Sequence, residues 1–223
     1  MADAIANDEY IEFSLNSNTG WYANLDRIEF SLRRSGTGPN VYQWQYSNDY
    51  FATAGIPIGV PETYAGIENN GLQMPAVDLS SIPALQNTTG TTFRLYAWGA
   101  TGGPGTFAIG RLAGNDLSLI GEVKTYQYTV QYLAGVGGSI TGTSHQTINY
   151  GDATTQVIAT PQLGFQFDSW SDANLINARN DSNVTSDHTY TAQFSPIILP
   201  PQQSYGGLGL FTPPPSIGRE REK

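Results

Sequence analysis

Alternation of apolar and polar residues with a period of two dominates the first half of the chain. Ile11, Phe13 and Leu15 alternate with polar residues, and the same alternation runs through residues 27–33. Successive side chains of a strand point to opposite faces, so this pattern predicts strands with one buried face. Further strands are predicted at residues 41–47, 93–98, 106–111 and 116–120.

A second block of shorter predicted strands occupies residues 126–194. Tyr128, Val130 and Tyr132 alternate with polar residues, and the glycines of residues 135–138 predict a hairpin turn. No stretch of ten residues shows the 3.6-residue period of an amphipathic helix. The pattern therefore predicts an all-β protein with one domain at residues 10–121 and another at residues 126–194.

Both ends of the chain differ from these blocks. Residues 1–9 are small and acidic, which predicts an extended N-terminal arm. Residues 195–223 contain six prolines and no charge before Arg219, so we expect an extended tail of polyproline character. The apolar residues of this tail are candidates for binding a partner chain. They are Pro196, Ile197, Ile198, Leu199, Leu208, Leu210 and Phe211.

Composition removes several classes of function. The net charge is −9, from 10 basic and 19 acidic residues, which argues against nucleic-acid binding because phosphate neutralisation needs a basic surface. The absence of cysteine excludes disulfides and thiol chemistry. No apolar run approaches the roughly 18 residues of a membrane span. Residues 1–9 have no features of a secretory signal, so we expect a protein made in the cytosol or a form whose signal has been removed.

Three motifs follow one another in the first block. Residues 33–39 read RRSGTGP, residues 93–100 read FRLYAWGA, and residues 105–111 read GTFAIGR. This order resembles a bacterial secreted β-jelly-roll module of multidomain surface proteins. The resemblance implies a jelly-roll β-sandwich over residues 10–121 and brings no catalytic residues with it.

The second block carries three motifs of its own. They are GGSITG at residues 137–142, QTINYG at residues 146–151 and GFQFDSWS at residues 164–171. Their order resembles a divergent internalin-B-type B repeat, a small β-grasp-like module of bacterial surface proteins. The resemblance implies a spacer, stalk or adhesion unit without catalysis.

Motifs for catalysis and for cofactor binding are missing from the sequence. His145 and His188 are the only histidines, and neither belongs to an H-E-x-x-H motif. No G-x-S-x-G nucleophile motif occurs, and the Lys-Thr pair at residues 124–125 does not follow a glycine-rich loop. We therefore expect no enzyme activity, no cofactor and no resident metal.

Calcium is the one cofactor that the sequence leaves open. Residues 172–187 are rich in side-chain oxygen, which calcium favours, although the spacing does not fit an EF-hand because Ile176 falls at a ligand position. Asn and Asp also cap turns. The residues are Asp172, Asn174, Asn177, Asn180, Asp181, Asn183 and Asp187.

An aromatic strip allows a second interpretation of the first domain. Rings on two predicted strands could form a platform that stacks on sugars, or they could face the core, because the opposite side of each strand is partly polar. The candidate platform is Tyr42, Trp44, Tyr46, Tyr96 and Trp98.

Together these features predict a non-enzymatic, outward-facing structural or adhesion protein. The expected setting is a virion surface, as a phage decoration or fibre component, or a bacterial cell surface if a signal was removed. The expected partners are other protein chains of an assembly, contacted through the terminal arms, and possible further ligands are host-surface glycans. We expect neither nucleic-acid binding nor membrane insertion. The alternative function is a carbohydrate-binding module.

Overall fold

A computed structural model describes residues 1–7, 9–64, 66 and 71–199. The described chain is nearly all β, as the alternation predicts, with a short helix α1 (Ala2–Ala6) and a 3₁₀ turn (Pro83–Leu85). The strands of the first domain are β1 (Tyr10–Asn16), β2 (Trp21–Arg34), β3 (Val41–Ser47), β4 (Ile56–Pro57), β5 (Glu62–Thr63), β6 (Leu72–Gln73), β7 (Val77–Asp78), β8 (Gly90–Trp98), β9 (Phe107–Ile109) and β10 (Leu117–Thr125).

Two antiparallel sheets form the first domain. One has the order β1-β8-β3-β4, with β5 also on β3, and the other has the order β10-β2-β6, with β7 and β9 also on β2. The apolar positions of the alternating strands meet between the sheets, where Ile28, Phe30 and Leu32 share a core with Trp44 and Phe93. This face-to-face packing is a β-sandwich, the architecture that the first family resemblance implies.

Strand β2 is twice as long as the alternation predicts. Its second half keeps the predicted period, but Ala23 and Leu25 are also buried and fall out of phase with Ile28. The pairing with β10 shifts in register between Ile120 and Gly121, so Asp26 is an extra residue on β2. Such a β-bulge moves the buried face by one residue. A search for strict two-residue alternation therefore does not detect the first half of β2.

The second domain is built around a pair of parallel strands. The sheet order is β13-β11-β17-β15, with the first and last strands of the domain parallel at its centre, and a second sheet has the order β12-β14-β16. Val130, Tyr132 and Trp170 lie in the core between them. The strands are β11 (Gln127–Ala134), β12 (Gly138–Thr141), β13 (His145–Asn149), β14 (Val157–Pro161), β15 (Phe165–Trp170), β16 (Ala178–Arg179) and β17 (His188–Pro196).

The N-terminus is a correction to the sequence prediction. We expected an extended arm over residues 1–9, but Ala2–Ala6 form the helix α1, which packs near β8 and buries Ala4. Alanine is the strongest helix former, and its small side chain lets the turn lie close to the sheet. The helix is only five residues long, and no helix in the described part of the chain is both long and apolar enough to cross a membrane.

The two domains are joined through a single residue, Tyr126, between β10 and β11. Its N–H donates to the Gly20 carbonyl at 2.9 Å, and the Tyr150 N–H donates to the Tyr126 carbonyl at 2.8 Å. The antiparallel hydrogen bonding of one domain therefore continues into the other. The rings of Tyr22 and Tyr126 also contact each other, with their centroids 5.0 Å apart.

Candidate functional site

The structure does not expose the predicted sugar platform. Tyr42, Trp44 and Tyr46 lie in the core between the two sheets. Tyr96 points to the other side of its sheet and is also buried, with the Tyr10 ring centroid 5.6 Å from its own. Only Trp98 is partly exposed. The expectation of a platform is therefore wrong for four of the five rings, because the outer face of this sheet is covered as well as the inner face.

Arg94 is the centre of that outer cover. Its guanidinium lies between the rings of Tyr10 and Phe51, at 3.9 and 4.0 Å from their centroids. Its Nε donates to the Glu12 carboxylate at 2.6 Å. No sequence motif predicts this cluster, because Phe51 comes from an irregular loop and reaches Arg94 only in the folded domain. Arg94 is fully engaged within the domain.

The oxygen-rich loop of the second domain is organised by an arginine. The side chain of Arg179 is only 4% exposed, and it donates from Nη1 to Asp172 at 2.9 Å and from Nη2 to Asp181 at 2.6 Å. Its guanidinium also lies 3.4 Å from the centre of the Tyr190 ring. Two of the three carboxylates that suggested calcium, those of Asp172 and Asp181, are therefore directed at a buried cation supplied by the chain itself.

The charges of this cluster alter the acidity of its members. Burial opposes ionisation of Asp181, but hydrogen bonds from Arg179 and Tyr132 outweigh it and lower the pKa of this carboxyl. The hydrogen bond from Arg179 lowers the pKa of Asp172. Burial and the hydrogen bond to Asp181 raise the pKa of the Tyr132 hydroxyl. The cluster is a charged network that holds strands together.

Other members of the predicted calcium loop accept hydrogen bonds from the backbone. The Asn174 side chain accepts a hydrogen bond from the Ile176 N–H at 2.9 Å, and Asp187 accepts one from the Thr129 N–H at 2.7 Å. In the described residues, no group of three or more His, Asp or Glu side chains could hold a metal ion. Asn174 therefore caps a turn, as the alternative interpretation expects, whereas Asp187 ties the loop to β11.

A cleft of about 360 Å³ lies beside β3 in the first domain. Tyr42 and Trp44 are among the residues that line it, and Glu62 and Asp78 add carboxylates. Burial raises the pKa of Tyr42 to about 12, and the charge of Glu62 acts in the same direction. Asp78 accepts hydrogen bonds from the N–H and hydroxyl of Ser80 at 3.0 and 2.7 Å, so this carboxylate is held in the loop.

A larger groove, of about 670 Å³, opens between the two sheets where β1 begins and β8 ends. Its apolar lining includes Ile11, Leu95, Ala97 and Phe107, while Glu9 adds a carboxylate and the glycine-rich segment 100–105 lies along it. Among the described strands β1 pairs with β8 alone, so its other edge has no strand partner. This groove has no signature in the sequence, because four separate segments form it.

The predicted partner-binding arm is described only in its first residues. Pro196 ends β17, and the Ile197 N–H donates to the Gly164 carbonyl at 2.8 Å. Ile198 and Leu199 are 91% and 75% exposed. The remaining candidates, Leu208, Leu210 and Phe211, lie outside the described residues.

Comparison with protein families gives one match, which falls on the second domain. Residues 128–198 match the model of the divergent InlB B-repeat domain. Searches of curated proteins and of solved structures find no match. The matched residues run from β11 to just beyond β17, the range in which the three motifs of the second block occur. The second domain is thus similar to divergent InlB B-repeats, as its motifs predict, and such domains are typical of bacterial surface or extracellular proteins.

Proposed function

We propose that this protein is a non-enzymatic, outward-facing structural or adhesion component, without a cofactor, of a virion surface (phage decoration or fibre type) or of a bacterial cell surface. The observation that carries the proposal is the match of residues 128–198 to a domain typical of surface proteins. Its partners are other protein chains of the same assembly.

The connection between the domains supports a spacer role. Tyr126 is the whole linker, and its backbone bonds to Gly20 of one domain and Tyr150 of the other. A linker of several unbonded residues would let the domains move independently, whereas this continuous hydrogen bonding resists bending. An outward-facing spacer benefits from that stiffness because it holds its ends apart.

An epitope tag tests the outward orientation. Leu163 is fully exposed in the turn before β15, so a tag inserted after it leaves both cores intact. Antibody labelling of intact virions and intact cells should detect this tag, while a cytosolic marker in the same sample stays unlabelled. Detection only after lysis would contradict the proposal. Labelling of one particle type alone would decide between virion and cell surface.

The carbohydrate-binding alternative has lost its proposed platform, because only Trp98 of the five rings is partly exposed. Glycan-array binding by the full chain that is lost on Trp98→Ala, with the fold retained, would restore it. The proposal of a structural role predicts no saturable glycan binding in that assay.

A further inference from the structure

The groove beside β1 has the features of a site for an added strand. Strand β1 is the edge of its sheet within the described chain, and the partly exposed side chains of Ile11 and Phe107 lie in the groove next to that edge. An unpaired edge presents backbone N–H and C=O groups to an incoming strand. Peptides bind in this way when backbone bonds supply affinity and pockets receive alternate side chains.

The chain carries a segment with the matching pattern. Residues 206–211 read GGLGLF, so Leu208 and Leu210 fall on one face of an extended strand and glycines alternate with them. Three prolines at 213–215 follow closely, and proline cannot continue a ladder because it has no N–H. No charged residue occurs between positions 195 and 218, so this segment can enter a groove without burying a charge of its own.

We propose that residues 206–211 of one copy of the chain add as a strand to β1 of a second copy, with Leu208 and Leu210 entering the groove. This inference rests on the proposed function, because it gives the assembly partner of the outward-facing component. The partner is another copy of the same chain.

The fold places the groove and the origin of the tail at opposite ends of the molecule. Strand β1 ends at Asn16, next to the junction, so its start at Tyr10 and the groove lie away from the second domain. Strand β11 leaves the junction, and β17 runs parallel to it, so Pro196 lies at the far end of the second domain. A head-to-tail contact of this kind is heterologous and can build rings or filaments.

Distance also favours a second copy. The strand lengths put Pro196 about 55 Å from the start of β1 when the strands run on in line. The segment from Pro196 to Leu208 spans at most about 43 Å when fully extended. In that in-line arrangement Leu208 of one copy does not reach its own groove, while it can reach the groove of the next copy.

Cysteine cross-linking tests the contact directly, because the chain has no cysteine of its own. Thr101 is exposed and lines the groove, so the full chain with Thr101→Cys and Phe211→Cys should form covalent dimers and longer species on oxidation. The matched control is Thr53→Cys with Phe211→Cys, since Thr53 is exposed in a loop near the other end of the domain. Links no more frequent than in the control would overturn the proposal, as would a product linked only within one chain.

Sedimentation of the full chain gives an independent measurement. Leu208→Asp with Leu210→Asp should weaken self-association by about a hundredfold, because each lost apolar contact is worth about tenfold or more. Ile217→Asp is the matched control in the same tail and should associate like the native chain. Equal association of both variants would overturn the inference. If the epitope tag is labelled on intact particles or cells but the native chain sediments as a monomer, this inference alone is rejected. If the tag is detected only after lysis, the proposed function is rejected.

Discussion

Two buried tryptophans, one in each domain, differ in the fate of their indole N–H. Trp170 donates from Nε1 to the Ile176 carbonyl at 3.0 Å. Nε1 of Trp44 is buried without a hydrogen-bond partner in the described chain. Both rings make edge-on contacts with two aromatic neighbours at 5.4–6.1 Å. Comparing Trp44 with Trp170 therefore separates the contribution of the indole hydrogen bond to stability from the contribution of ring packing.

Substitution of each tryptophan by phenylalanine tests this difference. Both variants lose ring volume, but only Trp170→Phe loses a hydrogen bond and leaves a carbonyl unpaired. We expect Trp170→Phe to lower the free energy of unfolding of its domain by about 1 kcal/mol more than Trp44→Phe lowers that of the first domain. Hydrogen exchange of peptides from each domain measures both values in the full chain. Equal losses would contradict the expectation.

Arg179 is the residue on which the charged network of the second domain depends. Arg179→Ala leaves Asp181 partly buried without its cation, so we expect the domain to lose about 3 kcal/mol of unfolding free energy. Arg27→Ala is the matched control, because Arg27 pairs with Asp26 and Glu29 at the surface and should change stability little. Urea titration with exchange readout on residues 128–198 makes the comparison. A small effect of Arg179→Ala would show that the network adds little.

The same network gives the second domain a pH dependence. The pKa values of Asp172 and Asp181 are lowered in the folded state, so the unfolded chain binds protons more readily than the folded chain. Their stabilisation is complete above the unfolded Asp pKa of about 3.9 and is lost as pH falls through the lower folded values. Exchange protection of the second domain should therefore fall below about pH 4. This acid sensitivity should be weaker in Arg179→Ala, and an unchanged profile would refute the assignment.

At the scale of elements, the junction depends on one glycine. Gly20 has a φ of +84°, and a Cβ added there would overlap the ring of Tyr150 in the other domain. The residue therefore permits both the turn before β2 and the close approach of the second domain. A larger residue would have to open the contact between the domains.

Gly20→Ala should loosen this junction while both domains stay folded. The left-handed conformation costs a non-glycine residue about 1–2 kcal/mol, and the overlap with Tyr150 adds to it. We expect faster chymotryptic cleavage at Tyr126 and a broader distance distribution in X-ray scattering. Gly36→Ala is the matched control, since a Cβ there meets nothing within 4 Å. Identical cleavage of the two variants would show that the junction does not need Gly20.

At the scale of the whole molecule, charge acts against assembly. Each chain carries a net charge of −9, so two copies repel at long range, and salt screens this repulsion over about 10 Å at 0.1 M. The tail segment of the proposed contact carries no charge that could form an ion pair. We therefore expect self-association in sedimentation to strengthen as sodium chloride rises from about 20 to about 200 mM. Weaker association at higher salt would indicate an ionic interface instead.

The two domains differ in how much of them is predictable from the sequence. Alternation along β1, β3 and β8 predicts an all-β chain, because the two-residue period of a strand's side chains is a local property that does not depend on which strands lie beside it. The motifs of residues 137–171 predict a B-repeat domain. The same alternation shows that Tyr42 and Gln43 face opposite ways. It does not show that both faces are covered.

Contacts between distant segments determined the rest. The burial of Tyr96 depends on Tyr10, and the closure of the oxygen-rich loop depends on Arg179 meeting Asp172 and Asp181. The groove exists because β1 ends its sheet, which is a property of strand order. Local patterns specify which residues share a face of a strand. The packing and order of the strands decide which faces are buried, which charged side chains pair and which strand edge stays open.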